Sequence, residues 1–321
     1  MTVEVSIIEG AAELEPALEL GGSPAGRATW RAAGAARDAG GEASDGPARR
    51  RAGLVGRLVR RPGVVVAVVY VAALLLAAVA PFVLAHGDPS ATSPHTVFQA
   101  PSFAHWFGTD QLGRDQYTRF VYGSSLSIEA TIIAVGVAVL AGLVIGVVSG
   151  FVGGVVDAVL MRFIDVLLAI PALLLSLAIV TALGFGTVNV ALAVGVGITP
   201  GFARVTRSEV LRVRTLPYIE AARIGGGGLL RVLWRHVLPN SWGPVLVLAV
   251  LDFGTALLAV ASLSFLGFGA PPPSPEWGSL ISDGRNYLAT SPWLALLPGL
   301  AVGLVVLALN HIGKTIEELQ R

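Results

Sequence analysis

The chain has no cysteine, so disulfides, thiolate metal sites and cysteine nucleophiles are excluded. Charge is scarce too. Only 13% of the 321 residues are Asp, Glu, Lys or Arg, against about 25% in soluble domains. Lysine is almost missing: Lys314 stands alone against 21 arginines. In a chain so rich in Ala and Gly, that bias fits GC-rich coding better than a physical demand. The net charge of +1 gives no reason to expect a nucleic-acid partner. What the chain has in excess is apolar surface, with 54% hydrophobic residues and a mean hydropathy of +0.73. These values belong to an integral membrane protein.

Residues 1–48 hold almost no aromatics. They cannot bury enough apolar surface to order themselves, which predicts a disordered cytoplasmic tail. They do not read as a signal peptide, because the first residues are acidic and no apolar core follows. Residues 49–85 join a basic flank (Arg49, Arg50, Arg51, Arg57, Arg60 and Arg61) to an apolar run at 64–85. At ~1.5 Å per residue, about 20 residues cross the bilayer core, so this run is the first span. Further apolar runs lie at 125–148, 156–183, 188–203, 245–266 and 292–312. The expectation is an all-α integral membrane fold of six transmembrane helices, with 86–124 an external loop and 125–315 the core domain. Charge bias sets the orientation. The 204–244 loop carries Arg204, Arg207, Arg212, Arg214, Arg223, Arg231 and Arg235. The loops on the opposite side (86–124, 184–187 and 267–291) carry only Arg114, Arg119 and Arg285. Basic loops stay inside, which places 204–244 and both termini in the cytoplasm.

Within that loop, 218–240 reads "YIEAARIGGGGLLRVLWRHVLPN". Thr215 and Pro217 suit a helix start, and Glu220 and Arg223 share a face at i,i+3. Glycines 225–228 break the helix, each costing ~1 kcal/mol in a helix interior relative to alanine. A second short helix over 229–237 would carry Arg231 and Arg235 on one face and Leu230, Leu233 and Val237 on the other, with Pro239 ending it. Ala221 and Ala222 allow another backbone to approach. Two readings stay open on physical grounds: a helix pair lying on headgroups, or a docking knob for a cytoplasmic partner.

The stretch "EAARIGG…RHVLPN" resembles the EAA loop of ABC importer permeases, with Glu220, Ala221, Ala222, Gly226, Leu238 and Pro239 at the family's spacing. Four further stretches resemble the second permease subunit of dipeptide, oligopeptide and nickel importers. They are "FGTDQLGRDQYTRFVYGSSLS" (107–127), "GGVVDAVLMRFIDVLLAIPALLL" (153–175), "LSFLGFGAPPPSPEWGSLISDGRNYL" (263–288) and "SPWLALLPGLAVGLVVLALNHIG" (291–313). The resemblance covers about 50–315 and implies the type I importer fold in a bacterial inner membrane. It implies half of a translocation pathway for peptides, with nickel or another small solute as the alternative cargo. The implied partners are a homologous permease subunit forming a heterodimer, two cytoplasmic ATPases and an external substrate-binding protein. The chain itself would do no catalysis and hold no cofactor, with ATP and Mg on the ATPases. The EAA loop, with the charged faces of Arg223, Arg231 and Arg235, would seat in a groove of the ATPase. Three positions depart from the pattern: Val260 where relatives commonly carry Glu, Gly225 where Leu is usual, and "GKTIEELQR" at the tail.

Asp110, Arg114 and Asp115 make a poor ligand set for a hard cation, which wants more oxygens; internal Asp–Arg pairing in a loop near the external gate fits better. Prolines 271–273 favour an extended segment, and Trp277 suits a membrane interface; this loop is a candidate contact for the binding protein. Glu129 and Asp157 lie near span ends, where they can reach headgroups or water. Arg162 and Asp165 can neutralise each other at i,i+3. Asp252, deep in a span with no partner at helical spacing, is a candidate pathway residue or a contact to another subunit; it could also compensate for Val260. Pro171 and Pro200 can bend their helices. "HIGKT" is no nucleotide loop, because Ala308 stands where the first glycine is required. The five histidines are scattered and give no metal signal. A secondary transporter or channel would need inverted repeats or an ion relay, neither of which is visible. A membrane scaffold is the third alternative.

Overall fold

The computed structural model describes residues 62–320. The expected tail at 1–48 and the basic cluster at 49–61 lie outside the described residues. The remainder is helical: α1 (Pro62–Val79), a short α2 (Pro81–Leu84), α3 (Gln116–Val152), α4 (Gly154–Ala169), α5 (Ala172–Leu183) and α6 (Thr187–Arg214). After these come α7 (Pro217–Ile224), α8 (Leu229–Val232), a π-helical turn (Leu233–Val237), α9 (Leu238–Phe265), α10 (Trp277–Arg285) and α11 (Trp293–Gln320). By length and composition, five helical stretches can cross a membrane, or six if the bent pair α4–α5 counts as one. The six-span reading and the all-α class therefore stand.

The span limits do not stand. The helix expected over 125–148 begins at Gln116 and runs 37 residues, about 55 Å at ~1.5 Å per residue. Its start lies in sequence assigned to the external loop, because Asp115 caps it: the carboxylate accepts from Thr118 N at 2.7 Å. Likewise α6 runs past residue 203 to Arg214, well into the segment assigned to the 204–244 loop. Charged turns lower hydropathy without interrupting the helix. The 156–183 run is two helices bent by 94°. Pro171 lacks an N–H and pushes the preceding residue out of helical geometry. Ile170 obeys, at φ −94° and ψ 128°.

The best-packed pair is α3 against α6. Gly142, Gly146 and Gly150 recur every fourth residue, so they line one face of α3. A Cβ on each would lie 2.4, 2.5 and 2.9 Å from Phe202, Thr206 and Val210 respectively. Only missing side chains let these backbones approach, the usual solution where lipid removes the hydrophobic drive between helices. Around this seam, Ala130, Ala134, Val190, Val194, Ala256, Val260 and Leu263 form a buried apolar cluster. Val260 is wholly buried there, so the position is dry core in this chain. Gly63 on α1 meets His311 on α11, which brings the two ends of the described chain to one side of the bundle.

Candidate functional site

Two candidate regions sit at opposite ends of α3. At its C-terminal end lies the 217–237 segment. Ile219 on α7 is fully buried with Val147, Val210, Val213, Val232 and Val237, which pins the segment to α3 and α6. The outward face is largely apolar. Ile224 is 82% exposed and Trp234 67%, beside exposed Leu229, Leu230 and Tyr218. Glu220, Ala221, Arg231 and Arg235 are exposed among them. The side chain of Arg223 lies outside the described residues. Composition hid Ile224 and Trp234, since an apolar residue in a helix looks like core until the packing is known.

The glycine run has a specific geometry. Gly225 N donates to Ala221 O at 2.9 Å, and Gly227 N to Ala222 O at 3.0 Å. Gly226 takes φ +83°. This is the helix C-cap with one left-handed residue and a six-to-one hydrogen bond. The elbow is therefore a hydrogen-bonded cap rather than a loose link, and the left-handed position falls on the residue that matches the EAA pattern.

The second helix departs from expectation in two ways. Its buried residues are Val232 and Val237, with Leu233 half-buried, while Leu230 is exposed. Pro239 does not end it. The chain passes through the π-helical turn and continues as α9. Proline removes one backbone bond and its ring crowds the carbonyl four residues back. The wider turn at Leu233–Val237 takes up that mismatch, as such bulges do inside helices.

At the other end of α3, Asp110 organises a polar loop. Its Oδ1 accepts from Leu112 N at 2.9 Å and Arg114 N at 3.0 Å. Its Oδ2 accepts from Arg114 Nε at 2.6 Å, and Arg119 Nε stands 3.9 Å away. Asp115 caps α3 and receives His105 Nδ1 at 2.7 Å. Asp110 and Arg114 are both buried, as the pairing read from the sequence expects. Trp277 is the correction: it is 0% exposed, not at a membrane interface. Its ring stacks on Phe120 at 5.1 Å, and its Nε1 donates to Phe120 O at 3.0 Å. It anchors α10 on α3 and cannot touch a binding protein directly. Glu276 before it is also fully buried, accepting from Ser264 Oγ at 2.5 Å and Ala270 N at 2.8 Å. Prolines 271–273 turn rather than extend: Ser274 N donates to Pro271 O at 3.3 Å.

The charged residues within helices mostly pair across elements. Asp157 on α4 takes both Nε and NH2 of Arg207 on α6, at 2.5 and 2.6 Å, and accepts from Ser149; it does not rely on headgroups. Asp165 pairs with Arg204 at 2.8 Å rather than with Arg162. Asp252 is half-buried and forms no ion pair among the described residues. Glu129 is exposed. No cluster of His, Asp and Glu that could hold a metal occurs among the described residues.

Comparison with known proteins agrees along most of the chain. Residues 142–320 match the family Binding-protein-dependent transport system inner membrane component. The dipeptide transport system permease protein DppC of Alkalihalophilus pseudofirmus is 39% identical over 249 residues, 78% of this chain and 82% of that protein. The probable D,D-dipeptide transport system permease protein DdpC of Escherichia coli is 39% identical over 253 residues, 79% of this chain and 85% of that one. The glutathione transport system permease protein GsiD of Pectobacterium atrosepticum is 40% identical over 215 residues, 67% and 71%. The solved MetNI methionine ABC transporter aligns with a TM-score of 0.51 at 18% identity, over 63% of this chain and 97% of that chain, which shows a shared fold.

Proposed function

The chain belongs to the binding-protein-dependent transport system inner membrane components, the permeases of ABC importers, and we propose that its cargo is peptides. The names of its relatives support peptides over nickel: dipeptide, D,D-dipeptide and glutathione. In this reading the chain lines half of the pathway beside a homologous permease subunit, with both termini cytoplasmic. A binding protein delivers cargo on the far side. The chain does no chemistry, and ATP and Mg reside on two partner ATPases.

The observation that carries the coupling role is the 217–237 segment. It is pinned from beneath by Ile219 and offers Ile224, Leu229 and Trp234 to the outside. A large exposed apolar patch with charged neighbours is the signature of an interaction site. A rigid elbow with an apolar tip suits a groove on an ATPase, with Glu220, Arg231 and Arg235 forming the polar rim around Ala221 and Ala222. Leu238 and Pro239 carry the segment directly into α9. Asp110, Arg114 and Asp115 shape the delivery side, and Asp252 is the pathway candidate. The test is retention: the tagged chain should co-purify an ATP-hydrolysing subunit, and Ile224→Asp should release it while leaving the permease monodisperse. ATP-independent uptake by the chain alone would overturn the reading.

A further inference from the structure

The end of the bundle opposite the coupling segment holds a cavity that the coupling role does not use. It measures about 330 Å³ and is lined by Arg114, Arg119, Ser264, Ser279, Ser282 and Asp283, beneath the loop that follows α9. Arg119 is 3% exposed, and its Nε has no hydrogen-bond acceptor. The carboxylate within 4 Å of it, Asp110, is already held by Arg114 at 2.6 Å. NH1 of Arg119 reaches Pro89 O at 3.3 Å. The Nε is itself sealed from solvent, so a ligand would reach Arg119 through the part of the side chain that lines the cavity; a buried guanidinium with few acceptors is costly until one arrives. Asp283 lines the same cavity and makes no hydrogen bond among the described residues, but it lies close enough to Arg119 and Arg114 to share their field. The lining therefore runs from a buried cation to a carboxylate, with Ser282 between and the hydroxyls of Ser264 and Ser279 already given to Glu276.

A ligand that satisfies both ends carries a carboxylate and an ammonium in one small molecule. Guanidinium–carboxylate contacts are among the stronger hydrogen bonds in proteins, and a space of this size suits a small solute. We infer that the cavity binds a short zwitterionic peptide by its termini, the carboxylate on Arg119 and the ammonium on Asp283. The ligand is set between two charges that already act on each other. This names a subsite for the cargo and rests on the peptide reading above.

The test uses the full chain in nanodiscs, together with the subunits that co-purify with it. The probes are alanyl-alanine, its C-terminal amide and its N-acetyl form, titrated by calorimetry. Each blocked form should bind about tenfold more weakly, the loss of one charge-assisted contact. Arg119→Gln should weaken alanyl-alanine by a similar factor and erase the penalty of the amide. Asp283→Asn should erase the penalty of the N-acetyl form and leave the other. Equal binding of the three probes, no binding, or Asp283→Asn with both penalties intact would overturn the inference. If Arg119→Gln fails to fold, the Asp283 arm decides alone. Should this pattern hold while the assembled transporter imports no peptide, the cavity stands and the peptide reading falls. Should peptides be imported without the pattern, only the cavity falls.

Discussion

The two ends of α3 solve opposite problems. At the N-terminal end most polar groups are matched inside the chain, Arg119 Nε being an exception. Asp110 holds Arg114, Glu276 holds Ser264, and Trp277 is stacked and hydrogen-bonded. At the C-terminal end the backbone is capped and anchored, but the side chains that face outward are apolar and unmatched. Outside the Arg119 cavity, the first end reads as a finished structure whose variants should harm the chain alone. The second reads as half of a joint, whose variants should harm assembly and spare the chain.

The largest effect should come from breaking the finished end. Trp277→Ala removes a fully buried ring and should cost about 3–5 kcal/mol, seen as a large drop in thermal melting of the detergent-solubilised protein. Asp110→Ala leaves Arg114 buried without its partner and should cost a similar amount, about 3–5 kcal/mol. Next comes the anchor beneath the joint. Ile219→Ala should cost about 2–5 kcal/mol and loosen ATPase retention too, because the segment loses its seat. Ile224→Asp sharpens the contrast: melting should stay within about 0.5 kcal/mol of the parent, while ATPase retention is lost. The smallest effects lie in the elbow. Gly226→Ala forces a left-handed conformation and should cost about 1–2 kcal/mol. Gly228→Ala, at φ −59° with open space around its Cβ, should change melting by less than about 0.5 kcal/mol. A strong effect of Ile224→Asp on melting, or none of Trp277→Ala, would dissolve the distinction between the ends.

Span number and order were legible because lipid demands long apolar runs with internally satisfied backbones. Span ends were not, since α3 and α6 continue through charged turns that hydropathy reads as loops. Asp110–Arg114 was legible because four residues separate the partners. Asp157–Arg207 was not: they stand fifty positions apart, and only the packing of α4 on α6 brings them together. Trp277 misled because its type suits an interface as well as a core, and burial is decided by Phe120 from another element. Pro239 misled because a proline normally ends a helix, and nothing in the sequence announces a π-helical turn.

That turn has a mechanical consequence. From Leu229 to Phe265 the chain qualifies as one 37-residue helical rod, about 55 Å long. The exposed Trp234 sits near one tip, and the loop over the Arg119 cavity begins at the other. A tilt of only about 5° about one tip sweeps the opposite tip through ~5 Å, by the geometry of a rod of that length. The same piece of backbone is thus both handle and far arm of a lever, and a small angular push at one surface becomes a displacement of atomic size at the other.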